Sequence, residues 1–162
     1  MHGDHVGSLS SFVGSLHDIG RRVGIVGVKH IIASYDYAMG KGWAEVARVS
    51  LKHSYPIQDV SKEIGKFDVT TDEYNKMNNI LSSMIYDDYD KLIILCDSLA
   101  MVEGCVILEK RFVDTTRRYG VFNFTVERWN SVLAIKEHFE NKMGCLIYDI
   151  LPNIKETTFK IK

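Results

Sequence analysis

Apolar residues return every third or fourth position along most of this 162-residue chain, and only two prolines, Pro56 and Pro152, interrupt them. That period belongs to helices with one buried face, and it leaves little room for strands, whose side chains alternate with a period of two. The spacing predicts helices near residues 6–16, 28–39, 43–53, 71–84, 88–102, 105–118 and 125–142, with a short turn before Pro152. The residues between them agree. Thr70 with Glu73 three positions on forms a capping box, Thr125 is placed to cap the helix that follows, and Gly40, Gly120 and Gly144 stand where helices should stop. The expected fold is an all-α bundle in one domain of 1–162, a length that lets a chain bury about two-thirds of its unfolded surface.

Composition removes several classes of function. A formal charge of −1 and a pI near 6.6, with signs alternating along the chain, give no basic field for a nucleic-acid polymer. No apolar run reaches the roughly 20 residues of a membrane span, and the first residues lack a secretory pattern. Cys96, Cys105 and Cys145 are too few and too scattered for a disulfide framework or a Cys-x-x-Cys zinc site. They read as small buried apolar residues in a reducing compartment, and the expected address is the cytoplasm.

Against that background the run His17-Asp18-Ile19-Gly20-Arg21 stands out, because it follows an apolar stretch of Leu9, Phe12, Val13 and Leu16. A histidine beside an aspartate at a helix end offers a nitrogen and a carboxylate to one point, which suits a divalent metal. His30 opens a predicted helix and His53 closes the next. Asp97 sits within Leu92 to Val102, an almost unbroken apolar run that should be buried all round, where a carboxylate needs a hydrogen-bonding partner, a cation or a metal. Each residue alone also has an ordinary reading as a cap or a buried polar group. Together they form a candidate ligand set.

Other segments read more plainly. The stretch 49–68, with Pro56, Gly65 and little periodicity, is expected to cross the surface as a loop and to wall a pocket beside His53. Tyr86-Asp87-Asp88-Tyr89-Asp90 lacks the glycine and distal glutamate of a calcium loop and reads as an acidic helix start. His5 would lie roughly 18 Å along a helix from His17, too far to share an ion unless the chain doubles back. His138, among Lys136, Glu137 and Glu140, reads as solvent-facing on a helix whose apolar side carries Trp129, Leu133 and Phe139.

His17-Asp18 with Ile19-Gly20-Arg21, followed by His30, His53 and Asp97 in Leu95-Cys96-Asp97-Ser98-Leu99-Ala100, resembles the HD domain superfamily of metal-dependent phosphohydrolases. The part from Glu109-Lys110-Arg111 through Trp129 to Ile147 looks like the helical extension of a small bacterial subgroup of predicted hydrolases. The resemblance implies an HD-like helical bundle, with the metal-site core near 9–100 and C-terminal helices near 105–151. It implies a divalent ion, Mn²⁺, Fe²⁺, Mg²⁺ or Ni²⁺, one or two in number, held by His17, Asp18 and Asp97, with His30 and His53 for a second ion or beside the substrate.

The activity so implied is hydrolysis of a phosphate ester or anhydride, a nucleotide for preference. Asp18 and His53 are the catalytic candidates, and Arg21, Lys52, Lys110 and Arg111 the phosphate-binding ones. The expected partners are a small phosphorylated substrate and no polymer or membrane; a homodimer is left open. The family's opening histidine stands farther upstream than the sixteen residues before His17 allow, and Ser54 occupies a place where some two-metal members carry histidine. The alternative is therefore an HD-fold module that binds a nucleotide or metal without turnover; a plain helical interaction protein is the third reading.

Overall fold

A computed structural model of the chain describes residues 16–24 and 27–160. All of the predicted helix 6–16 except Leu16, together with His5, lies outside the described residues. The class is all-α, as the spacing predicts: eight helices and one two-stranded hairpin among the described residues. The chain packs as two compact units, one ending at Ile93 and the other starting at Ile94.

In the first unit a 3₁₀ turn, Ile19–Val23, leads to α1 (Lys29–Gly40), α2 (Ala44–Lys52), α3 (Thr71–Ser83) and the start of α4 (Asp88–Leu99). Helix α1 packs against both α2 and the 3₁₀ turn. Two apolar clusters hold these pieces. One is built on Val28, Ile31, Ile32, Leu51, Tyr55, Val60, Met77 and Leu81, the other on Ala38, Val46, Ala47 and Val49. Each large aliphatic side chain so buried contributes about 1.5–3 kcal/mol. The capping box of α3 forms as the sequence predicts, with Thr70 Oγ1 accepting from Glu73 N–H at 3.2 Å and Glu73 Oε2 accepting from Thr70 N–H at 2.7 Å.

The connector beyond α2 is a strap and not a free wall. Tyr55 and Val60 are fully buried, and Val28 N–H donates to Lys66 O at 2.9 Å. Asp68 reaches the start of α1, where its two carboxylate oxygens accept from Gly27 N–H at 2.6 Å and Lys29 N–H at 2.8 Å. A carboxylate at a helix N-terminus satisfies orphan N–H groups and suits the dipole. Burial would raise the Asp68 carboxyl, but these two N–H bonds outweigh it and hold its pKa below the ordinary value. A group with a depressed folded pKa stabilises above its unfolded pKa, and that stability fades as pH falls through the folded one. Asp68→Ala should therefore lower stability by about 1–2 kcal/mol near neutral pH, and the gap to wild type should close on acidification; a gap in melting temperature that holds constant with pH would contradict this.

The acidic run opens α4, as expected, with a reciprocal cap: Asp90 N–H donates to Asp87 Oδ1 at 2.9 Å and Asp87 N–H to Asp90 Oδ2 at 3.0 Å.

In the second unit the predicted helix 88–102 stops at Leu99. Ala100–Met101 instead pairs antiparallel with Gly104–Cys105 across Val102 and Glu103. Gly104, at φ +125°, supplies a backbone conformation other residues resist. The next helix, α5 (Leu108–Tyr119), consequently starts three residues later than predicted. Helix α6 (Thr125–Met143) follows with Thr125 as its first residue, not its cap, and the Thr125 hydroxyl accepts from Phe122 N–H at 2.8 Å. On α6 the buried apolar residues are Val132 and Ile135, whereas Leu133 is exposed and His138 half-buried against Phe139. Two short helices, α7 (Ile147–Ile150) and α8 (Ile154–Phe159), close the unit, and α8 has no counterpart in the predicted elements.

The cysteines are a correction: Cys96 and Cys145 are exposed and Cys105 half-exposed. Helix α4 likewise presents Leu92 as well as Cys96 to solvent, so it is not buried all round. Among the described residues no helix is long and apolar enough to cross a membrane.

Candidate metal centre

The His17-Asp18 turn docks on α1 because Gly20 has no side chain. Gly20 N–H donates to Ser34 Oγ at 2.7 Å, and a Cβ at position 20 would stand 2.1 Å from the His30 carbonyl oxygen and 2.5 Å from Ser34 N. This close approach brings Asp18 to the two histidines of α1 and α2. His17, Asp18 and His53 each offer one ligand atom, and the three atoms lie within 4.8 Å of one another. The His17 and His53 rings meet edge to face with centroids 4.7 Å apart. His30 joins through the carboxylate, with its Nε2 3.2 Å from Asp18 Oδ1 and His53 Nε2 3.6 Å from the same oxygen.

The proton positions on the two rings follow from their other contacts. His30 Nδ1 lies 2.5 Å from Gly27 O, and His53 Nδ1 2.8 Å from Ser50 O. A carbonyl oxygen only accepts, so Nδ1 carries the proton on each ring, and in neutral imidazole Nε2 is then a lone pair. Both Nε2 atoms face Asp18 Oδ1. That oxygen is buried and accepts no hydrogen bond among the described residues, although His30 Nε2 is within 3.2 Å.

Burial would raise the Asp18 carboxyl, but His30, the Arg21 guanidinium and His53 together hold it well below the usual carboxylate range, so it is an anion. An anionic oxygen beside two imidazole nitrogens calls for a proton on a ring or a cation among them, and Arg21 Nη2 lies 3.4 Å from His30 Nε2. Carbonyl-anchored imidazoles with a carboxylate form the donor set that divalent ions select, with Nδ1–H bonds that fix ring orientation and tautomer.

Arg21 completes the first unit's set. Its Nε donates to Asp18 Oδ2 at 2.5 Å, its Nη2 lies 3.4 Å from His30 Nε2, and its side chain is 56% exposed. Ser54, in the place of a further histidine, lies with Oγ 3.1 Å from His53 Nε2 and is able to donate to it.

Of the remaining candidates, Lys52 belongs to the first unit and Asp97, Lys110 and Arg111 to the second. Lys52 is a correction: it is 1% exposed, with Nζ donating to Asp90 Oδ2 at 2.7 Å and to Ile85 O at 2.8 Å. An ammonium enclosed in this way is part of the core and does not reach a phosphate. Asp97 belongs to the second unit, where it is half-buried near the end of α4. Lys110 and Arg111 also lie there, on α5, with Lys110 Nζ donating to Thr157 O at 2.6 Å and Arg111 facing Asp114 at 3.8 Å.

Three features of the site escaped the sequence reading: the carbonyls of Gly27 and Ser50 behind the histidines, the Gly20–Ser34 contact and the Asp68 cap. In both histidines the anchoring carbonyl is three residues back, a spacing visible in the sequence once the helix ends are known. Neither protein-family models, nor curated proteins, nor solved structures give a match to this chain.

Proposed function

We propose that the chain is a metal-dependent phosphohydrolase acting on a phosphate ester or anhydride, a nucleotide for preference, with His17, Asp18 and His53 as ligands of a divalent ion and His30 flanking them. The observation that carries this reading is the buried Asp18 Oδ1, which faces two imidazole Nε2 atoms without a hydrogen bond. A divalent ion held there supplies Lewis acidity, acidifying water and drawing charge from phosphoryl oxygens. The chain's own residues do the rest. The Gly27 and Ser50 carbonyls hold the Nδ1–H of each ring and so turn Nε2 toward Asp18, Asp18 is an anion as a metal ligand must be, and the exposed part of the Arg21 guanidinium would neutralise phosphate.

Elemental analysis of the purified protein should find a transition metal or Mg²⁺ bound, and added Mn²⁺ should support phosphate release from a nucleotide panel. Asp18→Ala should lose the metal and lower release on the order of 10²-fold or more. Equal release by wild type and variant would refute the catalytic role. Nucleotide binding without turnover would favour the binding-module reading, and a chelator that leaves the melting temperature unchanged would refute a metal altogether, since an ion held by the folded state alone must stabilise it.

A further inference from the structure

The surface beside the His17-Asp18 turn carries cations and aromatic rings in one cluster. Arg22, the residue after Arg21, places its guanidinium 4.2 Å from the centroid of the Tyr37 ring. Lys41 Nζ lies 5.7 Å from the same centroid. Trp43 meets Tyr37 edge to face, with centroids 6.1 Å apart, and is itself 36% exposed. Arg21, Arg22 and Lys41 are all exposed, and neither Arg22 nor Lys41 pairs with a carboxylate among the described residues. The nearby carboxylates are engaged elsewhere, Glu45 by Arg48 at 3.0 Å and Asp36 by Lys76 at 2.6 Å. The cluster is therefore a strip of uncompensated positive charge ending at an exposed indole, and it begins one residue from Arg21.

We infer that Arg22, Lys41 and Trp43 form a nucleotide-binding subsite, in which the two cations take the phosphates and the Trp43 indole stacks the base. The chemistry of the strip selects this class. Cations fixed over an aromatic ring are prepared for anions, an indole face takes any flat base, and a nucleoside polyphosphate carries both in one small molecule. The inference rests on the proposed function only in naming the substrate of that same site. It assigns the recognition of the base, which the metal cluster cannot supply.

Calorimetric titration of the full chain in excess EDTA with ATP and with inorganic triphosphate tests it apart from any turnover. ATP should bind roughly tenfold more tightly than triphosphate, from the stacked base. Trp43→Ala should remove that advantage and leave triphosphate binding unchanged, and Trp43→Phe, which keeps a ring in the same packing, should retain most of it. Arg22→Gln and Lys41→Gln should weaken both ligands severalfold. Because EDTA removes any divalent ion, these affinities are read apart from the metal chemistry. Equal affinity for the two ligands, failure of ATP to bind, or a Trp43→Phe protein that loses the base advantage while melting like wild type would overturn it. Hydrolysis that depends on Asp18 but is indifferent to Trp43 would overturn the subsite and leave the proposed function standing.

Discussion

Gly20→Ala should be among the most damaging single substitutions in this chain, lowering stability by about 3–5 kcal/mol and the melting temperature by roughly 10 °C. Added methyl groups in a packed interior normally cost about 1–3 kcal/mol because neighbours can shift. Here they cannot shift cheaply, since the atoms a Cβ would meet at 2.1 and 2.5 Å are the His30 carbonyl oxygen and the Ser34 amide nitrogen of α1 itself. Moving the turn away to make room also breaks the buried bond from Gly20 N–H to Ser34 Oγ. Shortening Ser34 does not help, because the backbone obstruction remains, so Gly20→Ala with Ser34→Gly should be no more stable than Gly20→Ala alone. A second readout follows from position: the turn carries His17 and Asp18, so any displacement that relieves the clash takes two of the three clustered ligands away from His53. Metal content should fall with stability. A Gly20→Ala protein that melts within a few degrees of wild type would show that the close approach is not a constraint.

Much of this fold was legible in the sequence, because the amphipathic period reports directly which residues are buried. The predicted helices 28–39, 43–53, 71–84 and 125–142 agree with α1, α2, α3 and α6 to within a residue at each end. What the period cannot report is a two-residue strand, so the Ala100–Met101 and Gly104–Cys105 hairpin was absorbed into the ends of two helices. Nor does it report partners. A fully buried carboxylate paired with a cation does occur on α4, at Asp90, which is 1% exposed, while Asp97 farther along is half-buried. Asp90 is disguised by its place in an acidic helix start, whereas Asp97 is conspicuous only because its neighbours are apolar. The His-Asp pair, His30 and His53 were identifiable as chemically distinctive residues at element ends. Their convergence depends on Gly20 and the two carbonyls, which are backbone features with no signature of their own.

The buried pair at Lys52 and Asp90 should be the other large determinant of stability, and its two members should not be equivalent. Asp90 Oδ2 accepts from Lys52 Nζ at 2.7 Å, Arg48 Nη1 at 2.9 Å and Asp87 N–H at 3.0 Å. Removing the aspartate leaves Arg48 with Asp87 and Glu45, at 2.9 and 3.0 Å, but leaves the Lys52 ammonium buried with only the Ile85 carbonyl and the face of the Tyr86 ring. An uncompensated buried charge of this kind costs about 3–5 kcal/mol, so Asp90→Leu should lower the melting temperature by roughly 10 °C. Lys52→Met should cost less, about 1–3 kcal/mol, because Asp90 keeps Arg48 and the Asp87 N–H. With both charges gone the site becomes apolar, and Asp90→Leu with Lys52→Met should be more stable than Asp90→Leu alone. The same series decides the role of Lys52. A phosphate-binding lysine would lose nucleotide affinity on change to methionine with little effect on melting, whereas the buried pair predicts the reverse, a lower melting temperature with ATP affinity retained. Loss of affinity at unchanged stability would return Lys52 to the substrate site.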